Sequence, residues 1–131
     1  MDIRTVGHLC ERKLITVDVE DSILEAAEKM TYGRVGALAV LDDGALIGII
    51  SEADVVCAVV ERAPIESTPV AQYMTETPIT VSVDDDAALA ARYMLEHGIG
   101  HLPVIDSREP VGMITRGDLL AIGAVPLART A

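Results

Sequence analysis

"GIISEAD", from Gly48 to Asp54, returns 64 residues later as "GMITRGD", from Gly112 to Asp118. Each stretch is a glycine, two apolar residues, a hydroxyl, and an aspartate three places after that hydroxyl. The same shift lays Val6 on Val70, Ile15-Thr16-Val17 on Ile79-Thr80-Val81 and Asp21 on Asp85 without a gap. It continues through Ala26-Ala27 on Ala90-Ala91, Met30 on Met94, Gly36 on Gly100, Val40 on Val104 and Asp42 on Asp106. An ungapped self-match of this length marks two copies of one structural unit.

The unit has a legible order of elements. "TVGHLC" and "PVAQYM" predict a short leading helix, and "LITV" and "PITV" short β-prone runs. "DSILEAAEKMTYG" and "DDAALAARYMLEHG" follow, each with an acidic start, apolar residues at helical spacing and a glycine stop. "ALAVL" and "HLPVI", a turn ("DDGA" or "DSRE"), then "LIGII" and "PVGMI" predict a β-hairpin. A last helix starts at the repeated phrase and runs through "ADVVCAVVERA" in one copy and "GDLLAIG" in the other. The expected class is α+β, two tandem β-α-β-β-α units: residues 1–63, a linker over 64–69, and residues 70–131 with a short C-terminal tail.

Composition narrows the function classes. The core must be aliphatic, because the chain has no Phe or Trp and only Tyr32, Tyr73 and Tyr93, so a base-stacking platform is not available. A formal charge of −11 repels nucleic acid and anionic lipid surfaces, and neither is an expected partner. Cys10 and Cys57 lie far apart without a CxxC or Cys/His cluster, which points away from a disulfide framework or a zinc site and towards a reducing cytoplasm. The opening "MDIRTVGHLCERK" has no apolar signal core, and no apolar run reaches membrane-spanning length.

The repeated phrase has two explanations. Ser51-x-x-Asp54 and Thr115-x-x-Asp118 match the capping box that starts a helix. The same residue types can also hold a ligand, since a carboxylate accepts both hydroxyls of a ribose. The phrase by itself does not choose between them.

"GHLPVIDSREPVGMITRGDLL" and "GALAVLDDGALIGIISEADVV", set in a tandem repeat, closely resemble the second half of a cystathionine β-synthase-type domain, the CBS domain. Over roughly residues 5 to 123 the chain resembles a CBS pair, or Bateman module. The resemblance implies two units packed through their sheets with pseudo-twofold symmetry, and clefts between them that take adenosyl compounds: AMP, ADP, ATP or S-adenosylmethionine. Such a ligand is regulatory, and no cofactor is required. By resemblance, Asp118 accepts the ribose diol and Thr115 binds near the ribose-phosphate. Backbone at Pro78, Ile79 and Thr80 meets the adenine edge, Gly100, His101, Leu102 and Pro103 line the same cleft, and His101 and Arg116 face phosphate. The first-copy counterparts are Ile15, Thr16, Gly36, Ala37, Ser51 and Asp54.

The copies are unequal. Ala37, Ala39 and Glu52 stand in the first where His101, Pro103 and Arg116 stand in the second. A polar donor is lost and a negative charge is put near a phosphate position, so the second cleft is expected to be favoured and the first to be weaker.

Catalysis is not expected: no nucleophile–base pair or metal-ligand set is written in the chain. Asp84-Asp85-Asp86 opens a helix, where acidic residues are favourable anyway, and no metal is expected there. "VVCAVV", Val55 to Val60, is apolar around the whole helix and so must be buried on more than one side. A homodimer is therefore expected, with Cys57 a small interfacial hydrophobe. The function implied is a non-catalytic sensor whose regulated protein partner is unknown; the alternative is a ligand-free structural dimerisation module.

Overall fold

A computed structural model describes residues 4–10, 12 and 14–124. The elements run α1 (Val6–Leu9), β1 (Thr16–Asp18), α2 (Ile23–Gly33), β2 (Ala37–Asp42), β3 (Ala45–Ser51) and α3 (Glu52–Val60). After a 3₁₀ turn at Val70–Gln72 come β4 (Thr75–Glu76), β5 (Val81–Ser82), α4 (Ala87–His97), β6 (His101–Asp106), β7 (Glu109–Thr115) and α5 (Arg116–Leu120). The chain forms two compact units: Ile15–Pro78, and Ile79 onwards together with the segment ending at Leu14.

In the first unit the sheet order is β1-β2-β3-β4, with β1 and β2 parallel and the other pairs antiparallel. In the second it is β5-β6-β7, parallel then antiparallel. Both hairpins turn through two residues with positive φ, Asp43 (49°) and Gly44 (81°) in one, Ser107 (50°) and Arg108 (71°) in the other. Such mirror-image turns match the twist of the strands they join.

Each sheet buries one face under its helices. Ser22 and Glu25 close a capping box on α2, with the Glu25 N–H donating to Ser22 Oγ at 3.1 Å, and Ile23, Ala26 and Met30 form the buried stripe. In α4 the Asp86 carboxylate accepts from the Ala88 N–H at 2.8 Å, and Ala87, Ala90, Ala91 and Met94 are buried. The glycine stop expected at the end of "MTYG" is displaced. Gly33 remains helical, and the left-handed residue that ends α2 is Arg34 (φ 55°, ψ 45°), the counterpart of Gly98 (φ 63°, ψ 35°) after α4. Gly33 is small for a packing reason: the Ile15 side chain occupies the place where a Cβ would stand.

The leading segments are exchanged. The Val6 N–H donates to the Asp85 carbonyl at 2.8 Å and the Gly7 N–H to the Val83 carbonyl at 2.9 Å, so the segment that opens the first repeat docks on the second. Reciprocally, the Val70 N–H donates to the Asp21 carbonyl at 2.7 Å and the Ala71 N–H to the Val19 carbonyl at 3.2 Å. Val6 and Val70 are each fully buried in the core they join. Gly7 permits the closer approach, since a Cβ there would stand 2.9 Å from Val83 Cβ. The repeat in sequence and the compact unit in space are thus offset, and residues 64–69 turn against the start of α2, where the Ile23 and Leu24 N–H groups donate to the Thr68 and Ile65 carbonyls.

Candidate functional site

Each hairpin delivers its repeated phrase to the start of a helix. In the second unit β6 and β7 pair His101 with Thr115, Leu102 with Ile114 and Pro103 with Met113, and the Arg116 N–H donates to the Gly100 carbonyl at 2.9 Å. Gly100, His101, Thr115, Arg116 and Asp118 are thereby gathered where β7 runs into α5. The Arg116 side chain folds back over Gly100, its guanidinium donating to the Ile99 carbonyl at 3.3 Å.

The Thr115–Asp118 pair is reciprocal. The Thr115 N–H donates to Asp118 Oδ2 at 2.8 Å, and the Asp118 N–H donates to Thr115 Oγ1 at 3.2 Å. Capping engages one carboxylate oxygen, and among the described residues no side chain or backbone donor is bonded to the other. Starting a helix and holding a diol are therefore compatible tasks for Asp118, because a carboxylate has about four lone-pair sites.

The first unit repeats the frame with a different use of the hydroxyl. Ala37 pairs with Ser51, the Glu52 N–H donates to the Gly36 carbonyl at 3.0 Å, and the Ser51 N–H donates to Asp54 Oδ2 at 2.8 Å. Here Ser51 Oγ also donates to Asp54 Oδ2, at 3.1 Å, so Asp54 is engaged by two donors where Asp118 has one. Ile15 and Thr16 lie at the start of β1, where the Ala39 N–H reaches the Ile15 carbonyl at 3.4 Å and Thr16 pairs with Ala39.

That contact has no counterpart in the second unit. Position 103 is proline, which has no N–H to give, so the parallel pairing of β5 with β6 starts one residue later, at Val81 with Val104. The Ile79 carbonyl loses the strand partner that Ile15 has, and Thr80 stays outside the ladder. Among the expected ligand contacts, Leu102 and Pro103 have fully buried side chains, and Ile79 packs partly against the second core. Pro78 is the last residue of the first compact unit.

Cys10 is a neighbour of this site that the sequence did not disclose. Burial pushes its thiol up, the Arg12 guanidinium opposes that, and the Asp118 carboxylate adds to it, which places Cys10 within electrostatic reach of Asp118. Among the described residues no group of three or more His, Cys, Asp or Glu is arranged to hold a metal ion, and no helix is long and apolar enough to cross a membrane.

The CBS domain family model matches the chain twice, over residues 6–61 and 70–124. The chain belongs to the CBS domain family. It is 34% identical over 113 residues to the CBS domain-containing protein CBSCBSPB5 of Arabidopsis thaliana, a match that takes in 85% of this chain and 21% of that protein. The chain thus spans about a fifth of that relative's length. Among solved structures, the CBS domain protein PAE2072 from Pyrobaculum aerophilum complexed with AMP is 27% identical with a TM-score of 0.83, covering 88% of this chain and 89% of that one. The CBS domain pair of protein MJ0100, in complex with 5′-methylthioadenosine and S-adenosyl-L-methionine, is 28% identical with a TM-score of 0.82, covering 90% and 94%. A tandem CBS pair of mixed α and β structure is what both comparisons and the two sheets describe.

Proposed function

We propose that this CBS pair is a non-catalytic regulatory protein that binds an adenosyl compound, AMP, ADP, ATP or S-adenosylmethionine, with Asp118 accepting the ribose hydroxyls. The observation that carries the proposal is the Asp118 carboxylate, which caps α5 through Oδ2 alone. Support also comes from relatives of the same fold solved with AMP and with S-adenosyl-L-methionine. Ile79 and Thr80 contribute backbone to the adenine, Gly100, His101 and Arg116 surround the phosphate or its equivalent, and Leu102 and Pro103 contribute main chain only. The first-unit site at Ile15, Thr16, Gly36, Ala37, Ser51 and Asp54 is the weaker one, because Ala37 stands for His101 and Glu52 for Arg116.

Binding acts by population shift: the ligand stabilises the conformation that grips it better, and a partner protein reads the change. The protein self-associates through α3, whose Val56, Val59 and Val60 are 59%, 56% and 74% exposed in the chain although Val55 to Val60 is an unbroken apolar run. Thermal unfolding against AMP, ADP, ATP and S-adenosylmethionine, with mass spectrometry of small molecules released from the purified protein, tests the proposal. A rise in melting temperature with one of these, or its release from the protein, supports it. No shift and no released nucleoside compound leave the capping boxes as helix starts in a structural dimerisation module.

A further inference from the structure

A groove of about 440 Å³, within the range of about 300–1,000 Å³ usual for small-molecule sites, lies between α2 and α3 of the first unit. Met30, Val55 and Val56 give it apolar walls, and Arg34 and Glu52 are its charged lining residues. It meets the first-unit candidate site at Gly36, which lines the groove and whose carbonyl accepts the Glu52 N–H at 3.0 Å. Ser51 immediately precedes Glu52, and Asp54 follows two residues after it. Among the described residues neither the Arg34 nor the Glu52 side chain has a hydrogen bond or an ion pair. The second unit carries different charges at the equivalent places, Gly98 for Arg34 and Arg116 for Glu52, and the Arg116 guanidinium donates to the Ile99 carbonyl at 3.3 Å. A carboxylate has no proton to give the equivalent carbonyl, so Glu52 is left to a ligand.

We infer that this groove takes the methionyl end of S-adenosylmethionine, with the Arg34 guanidinium on its carboxylate and the Glu52 carboxylate on its sulfonium and ammonium charges. The inference rests on the proposed adenosyl binding and gives the first unit a ligand that differs from the nucleotide of the second. AMP, ADP and ATP all carry phosphate beyond the ribose, and a phosphate there meets Glu52 as a like charge, which is the strongest form of rejection a site can offer. S-adenosylmethionine is the one proposed compound that instead carries cationic groups and a single carboxylate beyond the ribose. One glutamate and one arginine, with no other charged side chain lining the groove, answer that set. The planar guanidinium can hold the carboxylate through two parallel hydrogen bonds, and the apolar walls suit the methylenes between the charged groups. The substitutions that weaken the first-unit site for a phosphate therefore make it selective for a zwitterionic tail.

Isothermal calorimetry on the full chain, with S-adenosylmethionine and AMP as the two probes, tests this. Glu52→Gln, Arg34→Gly and Asp54→Asn should each raise the dissociation constant for S-adenosylmethionine at least about tenfold and leave that for AMP within about twofold. Arg34→Gly gives α2 the residue that ends α4 and relieves the left-handed position at φ 55°, Glu52→Gln keeps the shape of the side chain, and circular dichroism checks that each variant is folded. The unaltered chain gives a second reading: 5′-methylthioadenosine, which lacks the amino acid and the sulfonium charge, should bind at least about tenfold more weakly than S-adenosylmethionine. An affinity for S-adenosylmethionine that falls with Asp118→Asn but with neither Glu52→Gln nor Arg34→Gly overturns the inference and leaves the Asp118 site standing, as does 5′-methylthioadenosine binding equally well. Loss of AMP affinity in Arg34→Gly makes Arg34 a phosphate residue and also overturns it. If neither probe binds the unaltered chain, the adenosyl proposal itself fails.

Discussion

The Val6 N–H donates to the Asp85 carbonyl at 2.8 Å, across 79 positions of sequence, and Val70 repeats the bond to Asp21 at 2.7 Å. A segment that begins the first repeat is therefore part of the second repeat's core. Val6 is fully exchanged from water to protein, and burying a valine is worth about 1.5–3 kcal/mol. Val6→Ala should cost about 1–2 kcal/mol, as part of that burial is lost and a small cavity is left. Hydrogen exchange checks where the cost falls: the amides of Leu102 and Val104 should lose more protection than those of Leu38 and Val40. Val70→Ala should reverse that ranking.

The exchange was not legible in the sequence because the repeat hides it. A leading segment copied in both halves fits either half equally well by its residue types, and only long-range backbone bonds decide which it joins. What depended on local chemistry was legible: the helical stripe Ile23, Ala26 and Met30, the two-residue hairpin turns, and the Thr115–Asp118 capping box. The helix stop at Arg34 was not, since arginine has no preference for a left-handed position and Gly33 offered a better local signal. At the candidate site, the resemblance marked Leu102 and Pro103 as cleft residues, and burial, which only the folded chain discloses, leaves both side chains without exposed surface, that of Leu102 in the second unit's core. Cys10 near Asp118 follows from the exchanged segment and was invisible for the same reason as the exchange.

The two hairpins make an internal comparison of turn chemistry. Arg108 occupies, at φ 71°, the place that Gly44 takes at φ 81°. A side chain in the left-handed region costs about 1–2 kcal/mol. Arg108→Gly should therefore raise stability by about 1 kcal/mol in denaturant titration, less the entropy that glycine adds to the unfolded chain. Gly44→Arg should lower it by a similar amount without a clash, because nothing lies within 4 Å of a Cβ built there.

A small hydrogen-bonded cluster ties α3 to the turn before β4. Tyr73 OH donates to Glu61 Oε1 at 2.8 Å and Cys57 Sγ to Glu61 Oε2 at 3.3 Å. The Tyr73 bond, then the Cys57 bond, hold the Glu61 carboxyl below its ordinary value of 4.5. A depressed carboxylate contributes stability that is present above its unfolded value and is lost as pH falls through its folded one. Tyr73 and Cys57, both raised chiefly by the bond to Glu61, contribute in the opposite window: their share is present below their ordinary values and is lost at alkaline pH. Tyr73→Phe should let the Glu61 pKa rise towards 4.5, read by side-chain carboxyl NMR, and should flatten the acid limb of the stability profile. An unchanged Glu61 titration would show that the bond is not formed in solution.

Asp118→Asn separates the start of a helix from the grip on a ligand. The amide has one acceptor oxygen and an NH₂ that cannot accept, whereas the carboxylate has acceptors on both oxygens. Turned towards Thr115, the amide oxygen can still take the N–H that Oδ2 takes now, and Thr115 Oγ1 still receives the N–H of residue 118. The cap survives, and the stability of the free protein should fall by no more than about 1 kcal/mol. What remains for a ribose is a donor facing two hydroxyls that themselves need acceptors. Losing hydrogen bonds to a charged acceptor costs about 1.5–3 kcal/mol each, so the dissociation constant for AMP should rise by at least about tenfold. The corresponding Asp54→Asn change should move it little, because the first-unit site has Ala37 and Glu52 where the second has His101 and Arg116. Isothermal calorimetry measures the affinities and thermal unfolding without ligand measures the cap. If Asp118→Asn keeps its affinity for AMP, ADP, ATP and S-adenosylmethionine while losing stability, the aspartate is only a helix start, and the sensor proposal loses the residue on which it rests.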